Sequence, residues 1–116
     1  MRHRKTTKKL DRKSDPRKAL FRSLVTNLII YEKIKTTEAK AKAIKPIAEK
    51  LITKAKKNTL ISRRMLTKYL YTPNAIKKML EQIGPRYKNR NGGYTRIIKI
   101  GARQGDRAQI VQIELV

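Results

Sequence analysis

Thirty-one lysines and arginines stand against eight aspartates and glutamates, a formal net charge of +23 at neutral pH. No other feature constrains the chain so severely. A compact body with that imbalance repels itself, so its fold must be completed by a counter-charge on nucleic acid, an anionic membrane or an acidic protein. A membrane partner calls for a long apolar span, or for a basic amphipathic helix with bulky apolar anchors. The longest run of aliphatic residues here is only Leu28–Ile30, and the apolar helix faces are patterned to pack on one another. No membrane is expected, and nucleic acid becomes the leading partner.

With 116 residues the chain suits one domain with a modest core. Residues 1–14 carry seven Lys or Arg and, beyond the starting Met, only Leu10 as an apolar side chain. Such a segment cannot offset its ordering entropy alone. It reads as a basic arm able to reach roughly 45–50 Å when extended, with a single globular domain over residues 15–116. The arm is basic but lacks an apolar stretch, so it is not a secretory signal. A helix then follows, with Ser14 or Asp15 as cap, Pro16 in the first turn, and Leu20, Phe21, Leu24, Val25, Leu28 and Ile29 on one face.

Residues 32–36 alternate as a short strand would, and Thr36 or Thr37 caps the next helix. That helix shows Ile44, Ile47, Ala48, Leu51, Ile52 and Ala55 on one face. Pro46 falls inside the pattern, which predicts a kink or two helical pieces. Two more short helices are expected, one after Asn58 and one opening at Thr72-Pro73 and stopping at Gly84-Pro85. From Tyr94 onward β-branched runs flank the turn Gly101–Arg107, the signature of a hairpin. The reading is an α+β fold: helices in the N-terminal two thirds packed on a small antiparallel sheet, preceded by the extended arm.

Residues 84–96, GPRYKNRNGGYTR, hold three glycines and no carboxylate. A nucleotide-binding loop needs Gly-Lys-Ser/Thr or three spaced glycines opening a helix. Here Gly92-Gly93 leads into Tyr94-Thr95 and a strand, so no nucleotide cofactor is expected. The glycines instead permit positive φ and close approach of another backbone, beside Arg86, Lys88, Arg90 and Arg96. Tyr94 either joins the core or stacks on a base; core is expected.

Enzymatic chemistry is poorly supplied. The eight carboxylates share no motif spacing, and the one histidine, His3, lies in the arm, where it cannot easily be desolvated as a general base. No cysteine is present, which removes disulfides and cysteine zinc sites; no metal or cofactor is expected. The arm cations Arg2, Arg4, Lys5, Lys8, Lys9, Arg12 and Lys13, with His3, are phosphate-contact candidates, and Arg17, Arg63, Arg64 and Arg103 join them. A rival reading is a DNA-binding regulator with a helix-turn-helix over residues 60–83. Cations spread from residue 2 to residue 107 favour embedding in RNA.

Four stretches carry a resemblance: MRHR at the start, IKTTEAKAKAIKPIAEKLIT, GPRYKNRNGGYTRI and the closing GDRAQIVQIELV. Together, and in that order, they resemble the bacterial large-subunit ribosomal protein family numbered seventeen. The resemblance implies a non-enzymatic cytoplasmic constituent of the ribosome that binds large-subunit ribosomal RNA beside neighbouring ribosomal proteins, with no homo-oligomer. Carried over by position, Arg2, His3, Arg4 and Lys5 match the family's start, and Arg90, Gly92, Gly93, Tyr94 and Arg96 match its glycine-tyrosine block.

Overall fold

A computed structural model describes residues 13–116. The arm residues from Arg2 to Arg12, and the arm's extended form, lie outside that range. The helix α1 spans Ser14–Tyr31, strand β1 Lys33–Thr37, α2 Glu38–Lys57, α3 Leu60–Tyr69 and α4 Pro73–Lys78. A π-helical turn, Met79–Ile83, and a last helical turn, Gly84–Arg86, continue α4. Strands β2, Thr95–Ala102, and β3, Gln109–Leu115, close the chain. The fold is α+β, with a three-stranded antiparallel sheet in the order β1-β3-β2.

The period-2 pattern explains the sheet. Val111 and Ile113 of the central strand point into the core, whereas Ile110, Gln112 and Glu114 alternate to the other face. In register, Ile34 pairs with Ile113 and Ile97 pairs with the same residue from the other side. Helix α2 is the centre of the helical layer: Ala41, Ile44, Ala48, Leu51, Ile52 and Ala55 are all buried. Beside it in the core lie Val25, Leu28 and Ile29 from α1, Leu66 from α3, and Met79 and Ile83 from the π-helical turn, while Ala75 of α4 is buried on the side toward α1 and α3. In α1 the buried residues, Val25, Thr26, Leu28 and Ile29, all lie in the C-terminal half, and Leu20, Phe21 and Leu24 are half-buried.

Several boundaries differ from the sequence reading. Helix α1 begins at Ser14, so neither Ser14 nor Asp15 caps it; Lys13 holds the N-cap position without a side-chain bond. The first strand starts at Lys33 because Glu32, at φ 63°, takes the left-handed C-cap of α1 and donates its N–H to the Leu28 carbonyl. Thr37 sits at the N-cap of α2, also without a side-chain cap bond. Pro46 does not divide that helix, which runs unbroken from Glu38 to Lys57. The proline and Lys42, whose carbonyl loses its partner, are both exposed, so water can satisfy what the ring removes. Thr72 caps α4 as expected, accepting from the Ala75 N–H at 3.3 Å. Thr59 does the same for α3, accepting from Ser62 at 3.1 Å.

The expected stop at Gly84-Pro85 is also overturned: the chain stays helical to Arg86. The π turn makes this feasible, since the Gly84 N–H reaches back five residues to the Met79 carbonyl and the widened turn accommodates a proline with no N–H to give. Gly84 has a helical φ of −54°, so its role is steric. A Cβ there would lie 3.0 Å from the Ala55 carbonyl oxygen and 3.2 Å from that of Met79. Gly84→Ala should therefore push the last helical turn off α2 and cost roughly 1–3 kcal/mol, read as a lower denaturation midpoint with an unchanged m-value.

Candidate nucleic-acid interface

Tyr87 and Tyr94 bracket the glycine-rich loop and anchor it from below. Both rings are buried, Tyr94 at 1% exposure, and they meet with centroids 5.2 Å apart at a tilt of 53°. The Tyr87 hydroxyl donates to the Val116 carbonyl at 2.6 Å. The Tyr94 hydroxyl bonds Thr53 at 3.3 Å and the Lys56 ammonium at 3.0 Å. Tyr94 is thus a core residue, as expected.

Lys56 has a second partner, in the loop itself. Besides Tyr94 it donates to the Arg90 carbonyl at 2.6 Å, tying the loop to α2. Within the loop the Arg90 N–H bonds the Tyr87 carbonyl at 3.0 Å, a turn that leaves Lys88 and Arg90 exposed. Gly92 and Gly93 have φ of 80° and 61°, and a Cβ at either would meet nothing within 4 Å. Their glycine character answers a left-handed backbone, and the surface beside it is open to a partner.

The other nominated cations fall at different places. Arg86 closes the last helical turn and pairs with Glu32, which Lys78 also approaches at 3.3 Å; these partners, Arg86 foremost, hold the Glu32 carboxyl below its usual range. Arg96 on β2 pairs with Glu114 at 2.6 Å across the hairpin and lowers the carboxyl's pKa. Arg103 donates twice to Asp106, at 3.1 and 2.5 Å. That bond and the Ala108 N–H hold the Asp106 pKa down to about 2. Arg103 lies in the β2–β3 turn, eight strand residues beyond the glycine loop, or roughly 25 Å at the usual rise. Arg63 and Arg64 are exposed on α3, and Lys13 and Arg17 mark the start of α1.

The structure therefore brings together Arg86, Lys88 and Arg90, sets Arg96 at the adjoining strand start, and leaves Arg103 and the α3 arginines apart. Every hydrogen-bonded carboxylate just named serves an arginine. Among the described residues no group of three metal-ligating side chains occurs, and no helix is long and apolar enough to cross a membrane. The helix-turn-helix reading finds α3 and α4 joined by residues 70–72, but α4 is α-helical for only six residues.

The profile of the family described as Ribosomal protein L17 matches residues 20–116. The "Large ribosomal subunit protein bL17" of Carboxydothermus hydrogenoformans is 53% identical over 93% of this chain and 96% of its own length. Proteins of that name from Gemmatimonas aurantiaca and Dehalococcoides mccartyi are 49% and 46% identical over all of this chain and 98% and 99% of theirs. A profile covering the helical layer, the glycine loop and the whole sheet, with identities near one half along the full length, shows that the chain belongs to the ribosomal protein L17 family, structural components of the ribosome rather than enzymes.

Proposed function

We propose that the protein binds and stabilises folded ribosomal RNA of the large subunit, with neighbouring ribosomal proteins as its other partners. The observation that carries this reading is the loop from Arg86 to Arg96. It has no carboxylate, two open left-handed glycines, exposed Lys88 and Arg90, and a rigid footing on Tyr87, Tyr94 and Lys56. Backbone that a neighbour can approach, beside cations held in place, is what phosphate contact requires. The net charge of +23 and the names borne by the relatives support the same partner.

Arm residues Arg2, His3, Arg4, Lys5, Lys8, Lys9, Arg12 and Lys13 extend the contact into spaces the globular part cannot enter. Arg96 adds a phosphate contact at the loop's end, and Arg17, Arg63, Arg64 and Arg103 add others elsewhere on the surface. Replacing Lys88 and Arg90 by alanine tests the loop. Their side chains have no hydrogen-bond partner among the described residues, so stability should hold, while RNA affinity falls and its salt slope shrinks by about 2. Gly93→Val should harm both properties, because a β-branched residue resists a φ of 61° and its side chain holds the RNA away. A double variant that binds ribosomal RNA at full strength with the original slope would remove the loop from the interface.

A further inference from the structure

A second surface, away from the glycine loop, is built for a different part of the same polymer. Between α1, α2 and α3 lies a groove of about 390 Å³ lined by Lys18, Phe21, Arg22, Ile47, Lys68 and Tyr69. Its floor is apolar and aromatic: Phe21, Ile47 and Tyr69 are half-buried at the edge of the core. Its rim is three cations and no carboxylate. One of them is fixed. Arg22 donates Nε to the Tyr69 carbonyl at 2.8 Å and Nη2 to the Lys68 carbonyl at 2.9 Å, filling acceptors that the end of α3 leaves open. Its guanidinium carbon sits 4.4 Å from the centre of the Tyr71 ring, itself about half exposed.

We infer that this groove receives an unpaired nucleotide of RNA, its base against Phe21, Ile47 and Tyr69 and its phosphates beside Lys18 and Lys68. Bases outside a helix are recognised by aromatic faces and by arginine planes, with cations following the backbone; the groove presents all three together. An apolar side chain of a neighbouring protein would fill the floor but leave the rim cations without counter-charge, whereas a nucleotide supplies the plane and the anion in one ligand. The groove also lies in the size range of small-ligand sites. This inference rests on the RNA-binding reading but uses none of the cations that the sequence nominated.

The test compares the full chain's affinity for a labelled twelve-nucleotide oligouridylate with that for an abasic oligomer of the same length and charge, at low salt. The oligouridylate should bind at least about fivefold more tightly, the lower end of what stacking one base contributes. Ile47→Ser, which removes one wall of the floor, should narrow that gap while leaving abasic affinity unchanged. In the unmodified protein the Ile47 methyl resonance should shift with oligouridylate and stay put with the abasic oligomer, a readout that does not depend on the variant folding. Equal affinities for the two oligomers, or a gap that Ile47→Ser leaves undiminished with the methyl unmoved, would overturn the groove assignment. Binding of folded ribosomal RNA under the same conditions keeps the two readings apart: if it persists, only the groove assignment falls, and if it too is lacking, the RNA reading falls with it.

Discussion

Raising the salt from about 50 to about 200 mM should weaken the protein's binding to large-subunit ribosomal RNA by about a thousandfold or more, the loss expected when six or more phosphate contacts act together. The cause is release of condensed counterions. Each phosphate neutralised by a lysine or arginine frees part of the cation atmosphere around the RNA, and added salt removes that entropic gain. The charge of +23 makes many such contacts available, and few carboxylates compete for them. Glu32, Glu114 and Asp106 are engaged with Arg86, Arg96 and Arg103, so the largest shares of the slope should come from the arm, Lys88, Arg90 and the α3 arginines, with smaller shares from Arg17, Arg96 and Arg103. Filter binding across a salt series reads the slope directly. A flat plot of log affinity against log salt would take electrostatics out of the account.

Tyr94→Ala should destabilise the protein by roughly 3–5 kcal/mol, the range for truncating a buried aromatic side chain. In a domain of this size that lowers the melting temperature by more than about 10 °C. The ring is only 1% exposed, so removing it opens a cavity beside Tyr87 and between the loop and α2. The hydroxyl adds a smaller share. Tyr94→Phe gives up the bonds to Thr53 and Lys56 and should cost about 1 kcal/mol. Because the ring is inside, RNA affinity per folded molecule should survive Tyr94→Phe. Unchanged melting of Tyr94→Ala together with weakened RNA binding would mean that the ring stacks on a base instead.

Much of this architecture was legible in the chain, for reasons that particular residues make clear. The face through Ile44, Ala48, Leu51 and Ala55 repeats at helical spacing, and all four are buried. The β-branched runs around Gly101–Arg107 give the hairpin, and Thr72-Pro73 gives a helix start. Local pattern failed where a distant group decides. Gly84-Pro85 reads as a stop until the Ala55 carbonyl is seen against it, and Pro46 reads as a break because exposure of its helix face is a tertiary property. The Lys56 tie to Arg90 and the Arg22 cap on α3 span 34 and 46–47 residues, beyond any spacing rule.

Among the site residues, the positive φ of Gly92 and Gly93 was foreseeable from the residue type. That Arg96 faces Glu114 required the hairpin register. The bond from Arg103 to Asp106 required only their separation of three residues in a turn, a signal present in the sequence. Thr59 was likewise within reach as a helix cap, since a threonine ahead of an apolar periodic run is its usual mark.

The central claim is that this protein is held in the large ribosomal subunit by contact with its RNA. Fractionating cells that carry a tagged copy on a sucrose gradient, after a wash that removes loosely bound factors, tests it most directly. The tag should sediment with the large subunit and with whole ribosomes, and should move to the top of the gradient when the RNA is digested by ribonuclease. A tag that stays in the light fractions before digestion, or that travels with the small subunit, would contradict the account.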